Sequence, residues 1–357
     1  MFDPRPKMSR SDLYDFEEEL SVLTRYLGEP LVVVSGLRRT GKTSLVLTSL
    51  NECGRPYVFV DLREGFASWR ELYVLLSRSF SEFIVRASGW GRIRDVFLRL
   101  ISRLRGVSVL GLEISVNWLP EKRPLLSELF SILDEVGERV GERVMIVFDE
   151  FQRSRGPVGV ALHSAISHSY DFHRNLSFIL TGSEMGVLYG ILKNPENPLY
   201  GRAYLEVRTR KLSREESLDF LRRGFAEAGM KIEENEIEKA VEELDGIIGW
   251  LTYYGYLKVS GRGNFESVVN EAIELAKKEL ESFLASRVSR RYRVIMKLLA
   301  EDVREWGRLK KALENAEGTE LSDRVLYEIL QNLRNHSIID NENNFTDPVV
   351  RRAAQRL

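Results

Sequence analysis

The stretch Gly36-Leu37-Arg38-Arg39-Thr40-Gly41-Lys42-Thr43 constrains this chain more than any other. Two glycines bracket four residues, and a Lys-Thr pair follows at once, which is the spacing G-x-x-x-x-G-K-[S/T]. The flanks agree with it. Leu31-Val32-Val33-Val34 ahead of the loop is an apolar, β-branched run that reads as a buried strand. Ser44 to Leu50 behind it reads as a helix. Strand, glycine turn and helix start together suit a phosphate. The glycines let the backbone curl closely, and the first helical amides and the dipole face the anion. Phosphate-binding residues are therefore expected at Gly36, Leu37, Arg38, Arg39, Thr40, Gly41, Lys42, Thr43 and Ser44. Lys42 would reach the β- and γ-phosphates of a nucleotide, and the Thr43 hydroxyl would ligate Mg²⁺.

Val144-Met145-Ile146-Val147-Phe148 is a second unbroken apolar run, and it ends in Asp149-Glu150. An acid at the carboxyl end of a strand beside the loop would sit at the phosphate-bound metal, and Asp149 takes that role with Thr43. A second acid directly after it is what a hydrolase needs: Glu150 would polarise the attacking water as general base. The next strand ends in Leu180-Thr181-Gly182-Ser183-Glu184. A small hydroxyl there, Ser183, would lie between loop and acids, able to sense the γ-phosphate or orient water. Arg202 precedes the last strand of this region and could offset transition-state charge in cis or reach a neighbouring subunit. Lys42, Glu150, Ser183 and Arg202 are thus the candidate catalytic residues. The side chains of Arg38 and Arg39 have a second reading, as solvated groups or contacts to another domain. His163, His168 and His173 recur every five residues. That turns successive rings about 140° apart on a helix, so they do not share a face for a metal.

With 357 residues the chain has room for two or three domains. Its 43% hydrophobic and 29% charged residues describe a globular protein. The net charge of −1 gives no global field toward nucleic acid or membrane, so any such role needs a local patch. Cys53 is the sole cysteine, which excludes a disulfide framework and suits a reducing cytoplasm. The start, Met1 to Lys7, lacks the apolar core of a secretory signal. No stretch approaches the ~20 apolar residues of a membrane span. Glutamine is confined to Gln152, Gln331 and Gln355 among abundant Glu, Lys and Arg, a balance met in thermophiles.

Residues 1–28 read as a proline-containing arm and then a helix, with Ser11 and Asp12 as capping candidates and Leu13, Phe16, Leu20, Leu23 and Leu27 on one face. Strand runs near 31–35, 57–61, 144–148, 176–180 and 204–207 alternate with helices, which argues for a parallel α/β sheet. Leu110, Leu112, Ile114, Val116 and Trp118 alternate strictly and read as a half-buried strand in a small hairpin. After about residue 210 the pattern turns helical. Ser213-Arg214-Glu215-Glu216 is a capping box, and helices continue to about 284. The last unit has three helices. Then Ser337 to Asp340, the polar turn Asn341 to Asn344, and Phe345 to Asp347 suggest a β-wing, hence a winged helix-turn-helix. Its entrance is basic, with Arg287, Arg290, Arg291 and Arg293, but its third helix mixes Asp323, Arg324, Glu328 and Arg334. DNA contact and a protein-facing or intramolecular role both stay open.

Together, Leu37 to Thr43, Tyr57 to Arg63, Phe148-Asp149-Glu150-Phe151-Gln152, Thr181 to Gly186 and Asn197 to Ala203 resemble the archaeal ATPase family, of the AAA+-related STAND class of P-loop NTPases. The resemblance runs nearly end to end. It implies an α/β P-loop NTPase core with a five-stranded parallel sheet and the P-loop strand central (1–210), a helical lid (211–284) and a winged-helix domain (285–357). It implies ATP with Mg²⁺ as ligand, ADP as product, and hydrolysis linked to domain rearrangement. Gly36 to Thr43 carry over as the phosphate loop, Asp149 as the Mg²⁺-side acid, Glu150 as the base and Ser183 as the sensor. Asp3 to Phe16 match an arm that borders the adenine in similar proteins. Two positions depart from the pattern: Phe16 stands where relatives often carry arginine, and Asp245-Gly246-Ile247-Ile248-Gly249-Trp250 lacks the usual lid proline. The leading expectation is an ATP-hydrolysing switch read by a protein partner, with oligomerisation on ATP binding open. The alternative is a DNA-acting ATPase similar to origin-recognition initiators. A small-molecule kinase is disfavoured by Glu150 and the winged helix.

Overall fold

The computed structural model describes residues 1–87, 91–285 and 290–357; Arg287 of the basic cluster lies outside the described residues. Along the chain come α1 (Glu17–Tyr26), β1 (Leu31–Ser35), α2 (Lys42–Glu52), β2 (Tyr57–Asp61), α3 (Trp69–Arg86) and α4 (Gly91–Ile101). A hairpin of β3 (Val107–Leu110) and β4 (Glu113–Val116) follows, then α5 (Leu126–Val140), β5 (Val144–Asp149), α6 (Gly156–Phe172), β6 (Leu176–Gly182), α7 (Met185–Leu192) and β7 (Leu205–Arg208).

Five strands pair in the order β2-β5-β6-β1-β7, every pair parallel. The P-loop strand β1 is interior, but the middle place goes to β6, so the expectation of a central P-loop strand is corrected. Helices on both faces bury the sheet, which is why β1, β5 and β6 are apolar without alternation. Register brings Ser35 beside Gly182 and Asp61 beside Asp149, so the loops that follow β1, β2, β5 and β6 gather at one edge.

Several local expectations are corrected. Ser11 and Asp12 do not cap α1, which starts only at Glu17. Asp15 and Phe16 adopt positive φ (55° and 62°), which turns the chain so that Phe16 is buried. The alternation at 110–118 is interrupted by a turn: Ile114 and Val116 are buried, while Leu110 and Leu112 at the hairpin tip are exposed. Ser68 caps α3 as expected, with Glu71 returning a bond to its amide.

Beyond the sheet, α8 (Arg214–Glu227), α9 (Glu234–Leu244), α10 (Ile248–Val259) and α11 (Phe265–Ala285) form a helical group. The Ser213–Glu216 box starts α8. Then α12 (Arg291–Ala300), α13 (Trp306–Glu317) and α14 (Asp323–Asn335) lead to a wing reduced to one bridge, Ile339 with Phe345. A further helix, α15 (Pro348–Gln355), was not foreseen. Asp347 caps it by accepting from the Val349 and Val350 amides, and Pro348 opens it. Helix α7 was also not expected, whereas α10 lies within the helical stretch expected to about 284.

The sheet divides the interior in two. One apolar cluster packs α3 to α6 and the hairpin on one face. The other runs without a break from the N-terminal arm through α1, α2 and the helical group into the winged helix. The three parts of the chain therefore share one core on that side.

Candidate active site

The loop after β1 is shaped by two glycines. Gly41 has φ 85°, and a Cβ on Gly36 would lie 2.1 Å from the Thr209 hydroxyl at the end of β7. Thr40 donates to the Leu37 carbonyl at 2.7 Å, tightening the turn. Lys42 opens α2 and is buried, its ammonium donating to the carbonyls of Leu37 (2.7 Å) and Gly36 (3.2 Å). Burial pushes its pKa down, while Glu150 and Asp149 pull it back up. Ser44 Oγ accepts from the Lys7 amide at 3.0 Å, which ties the N-terminal arm to the loop.

The acids meet the loop. Thr43 Oγ1 lies 3.2 and 3.1 Å from the two carboxylate oxygens of Asp149. Asp149 is only 2% exposed, and burial raises its pKa against the opposing bond from Thr181. Thr181 donates to Asp149 Oδ1 at 2.6 Å and accepts from the Glu150 amide at 3.0 Å. Sequence reasoning passed over Thr181 in favour of Ser183. Glu150 sits at φ 56°, a left-handed turn that breaks the strand direction. Its Oε2 accepts from Ser183 Oγ at 2.6 Å and from the amide of Gln152. Gln152 is fully buried, and its own Oε1 has no hydrogen-bond partner among the described residues. Glu150 was legible from sequence; the second donor that holds it was not.

A cavity of about 350 Å³ runs from this cluster to the arm and the helical group. Lys42, Thr43 and Glu150 line it together with the aromatic rings of Tyr14, Phe16 and Tyr253. A Cβ on Gly41 would lie 4.0 Å from the Phe16 ring. The arm is fastened from the far side: Tyr14 donates to Asp219 at 2.7 Å, and Phe2 packs edge-on against Phe225, 4.9 Å between centroids. Despite the missing proline, the lid turn touches the loop, with the Gly249 amide donating to the Arg39 carbonyl at 2.9 Å.

Other expected residues lead elsewhere. The side chains of Arg38 and Arg39 both pair with Glu279 on α11, and Arg39 also lies 3.9 Å over the Trp250 ring. Their backbone stays in the loop. Arg202 is not brought to the cluster. It precedes β7, at the opposite edge of the sheet, and pairs with Asp171 at 2.6 Å near the end of α6. A cis role on this chain's own phosphate is therefore not what this arrangement shows. His163 is buried between Ser154 (2.8 Å) and Asn197 (3.0 Å).

A larger cavity of about 660 Å³ lies between the loop, α11 and the winged helix. It lacks Lys42, Thr43 and Glu150, all of which line the smaller one, so the chemistry belongs there. Across its wall Glu184 pairs with Arg155 (2.8 Å), Arg153 (3.2 Å) and His336 (2.8 Å), and Met185 N donates to Ser337 at 3.0 Å. The winged helix thus rests on the residues that directly follow Ser183. Trp250 donates to Asp347 at 2.7 Å and joins the lid turn to the cap of α15.

A glycine loop on a parallel sheet, with a hydroxyl and a buried acid facing it, defines a P-loop ATPase. The chain belongs to the archaeal ATPase family: the model of an ATPase domain predominantly from Archaea matches residues 13–253 of the 357. The model of the MCM protein C-terminal winged helix-turn-helix domain matches residues 287–345. Among solved structures, the Walker-type ATPase of Pyrococcus abyssi is similar over 100% of this chain and 99% of its own, with 34% identity and a TM-score of 0.80. The ORC2 protein of Aeropyrum pernix, in ADPNP-ADP complexes, shares the fold at 14% identity and a TM-score of 0.61, over 95% of this chain and 90% of that one. Cdc6p of Pyrobaculum aerophilum does so at 12% and 0.50, over 94% and 90%. No curated protein matches the sequence. No helix among the described residues is long and apolar enough to cross a membrane.

Proposed function

We propose that the chain is an ATP-driven switch in which the nucleotide in the smaller cavity sets the position of the winged helix, and a protein partner reads that position. The observation that carries this is the placement of two carboxylates. Glu279 of α11 holds both loop arginines, and Glu184, next to Ser183, holds His336 of the winged helix. The loop touches the helical group directly through Arg38 and Arg39, and the base reaches the winged helix through Ser183 and its neighbour Glu184, so a triphosphate that shifts either one favours one domain arrangement over another.

In the proposed chemistry, Lys42 exchanges its carbonyl partners for phosphate oxygens. Thr43 and Asp149 fit a hard divalent cation: an oxygen pair at 3.1–3.2 Å in which the carboxylate is desolvated and forms no ion pair among the described residues. Mg²⁺ held there by Thr43 and Asp149 would offset phosphate charge. Glu150 takes the proton of the attacking water, and Ser183 and Gln152 hold its carboxylate by one oxygen. ADP and inorganic phosphate leave.

A DNA-acting role finds less support. Arg290 donates to the Ala316 carbonyl at 3.0 Å, Arg291 pairs with Glu317 at 3.0 Å, and Arg293 donates to the Leu357 carbonyl. These three described members of the basic cluster close the winged helix on itself.

The test uses Cys53, which is exposed, and a second cysteine at the exposed position Tyr327 as a dye pair. Energy transfer is expected to differ between Mg·ADP and a non-hydrolysable ATP analogue in the full chain. Identical transfer in both states would contradict the switch.

A further inference from the structure

Among the described residues Lys42 is the buried cation of the P-loop, and it faces two acids, Asp149 and Glu150. A triphosphate adds more negative charge than one lysine and a divalent ion offset. The arginines first suspected are engaged elsewhere: Arg38 and Arg39 on Glu279, Arg202 at the far edge of the sheet.

Arg63 is differently placed. It follows β2, whose last residue Asp61 lies beside Asp149 in register, and the intervening Leu62 donates its amide to the Asp149 carbonyl at 3.0 Å. Arg63 lines the same cavity as Lys42, Thr43 and Glu150. Asp61 grips one edge of the guanidinium, with Nε at 2.9 Å from Oδ1 and Nη2 on Oδ2, and also accepts from the Arg63 amide at 2.9 Å. Nη1 makes no hydrogen bond among the described residues. The side chain is 66% exposed, so nothing in the core depends on it. Lys7, another cation on the cavity wall, is engaged by the arm: its ammonium rests on the Met1 and Asp3 carbonyls, and its amide on Ser44.

We propose that Arg63 is a further catalytic residue, whose Nη1 edge, oriented by Asp61, contacts the γ-phosphate of ATP held by the same chain. This rests on the reading of the cavity as the ATP site. In the step concerned, water oxygen bonds to the γ-phosphorus, the bond from that phosphorus to the β–γ bridging oxygen breaks, and the water proton passes to Glu150. Arg63 moves no proton. It stays cationic and offsets the charge that gathers on the equatorial oxygens, as arginines do in other phosphoryl-transfer sites. Asp61 acts through Arg63 and is a positioning residue.

The experiment compares the full chain with Arg63→Ala, Arg63→Lys and Asp61→Asn. It reads steady-state hydrolysis of Mg·ATP, affinity for a fluorescent ADP analogue, and trapping of Mg·ADP by aluminium fluoride, a mimic of the transferring phosphoryl group. Arg63→Ala is expected to lower kcat about 100-fold or more while ADP affinity stays within about threefold, since ADP has no γ-phosphate. Trapping by aluminium fluoride should be lost with it. Arg63→Lys keeps the charge without the planar fork and should restore only part of kcat. Asp61→Asn should fall between, again with ADP affinity kept. A kcat for Arg63→Ala within about threefold of the parent chain overturns the proposal. So does a parallel fall in kcat, ADP affinity and melting temperature, which would make Arg63 structural. A folded parent chain that binds no Mg·ATP would remove the ATP site and this inference together; one that binds and hydrolyses it, with Arg63→Ala unimpaired, removes only the inference.

Discussion

Ser183 Oγ donates to Glu150 Oε2 at 2.6 Å, which joins the end of β6 to the acid that follows β5. The next residue, Glu184, pairs with His336 of the winged helix at 2.8 Å. A change at the base therefore has a path of two adjacent residues to the winged helix. Glu150→Gln keeps the size and the hydrogen-bonding capacity of the side chain but not its basicity. Mg·ATP should still bind, and turnover should fall about 100-fold or more. Ser183→Ala should lose less, because Gln152 still donates to the carboxylate. Binding isotherms and phosphate release measure the two effects separately.

Gln152 offers a sharper split between stability and rate. Its amide holds Glu150, while its Oε1 is buried without a partner among the described residues. Gln152→Leu keeps much of the volume and removes that unpaired acceptor. The melting temperature should hold or rise, and kcat should fall about tenfold with KM little changed. A loss of stability with unchanged kcat would assign Gln152 to packing alone.

Gly249 marks the closest approach of lid to loop. A Cβ there would meet the Arg39 Cβ at 2.6 Å and the Arg39 carbonyl at 3.0 Å. Gly249→Ala should push α10 off the loop, weakening the ion pairs to Glu279 and the Arg39–Trp250 contact. Nucleotide affinity should drop, and protease cleavage between lid and core should speed up, while the sheet keeps its thermal stability.

His163 links the turn after Glu150 to the loop before β7. Its Nδ1 accepts from the Asn197 amide, whose own Oδ1 accepts from the Leu199 amide, and its Nε2 reaches Ser154. Both ring nitrogens are satisfied by the neutral form, and burial lowers the pKa from 6.5 to about 4. The neutral ring is favoured by folding, so its stabilisation is complete above the unfolded pKa and is lost as pH falls from about 6.5 toward 4. At one pKa unit per about 1.4 kcal/mol, the loss approaches about 3 kcal/mol. Denaturant unfolding at pH 7, 5.5 and 4 should show this fall, and His163→Gln should flatten it.

Much of this site could be read from short-range pattern. The P-loop, the acids after β5 and the capping boxes at Ser68 and Ser213 are all set by neighbours a few residues apart. What was missed depends on residues far apart in sequence. Arg39 finds Glu279, and Ser35 registers with Gly182, through packing that leaves no periodicity to detect. The placing of β6 at the sheet's middle, and hence of Thr181 beside Asp149, has the same origin. Phe16 turns into a left-handed conformation because burial of its ring outweighs the backbone preference. Helix α15 was a different failure. Asp347-Pro348 is a helix-start signal, but Phe345-Thr346-Asp347 reads equally as the second strand of a wing.

The most direct measurement is equilibrium binding of Mg·ATP to the full chain and to Lys42→Ala, each shown to be folded by circular dichroism. One nucleotide per parent chain, with binding abolished in Lys42→Ala, is the expected result. A folded parent chain that takes up no Mg·ATP, or a Lys42→Ala chain that takes it up equally well, would contradict the assignment of the 36–43 loop and Asp149 as the triphosphate site.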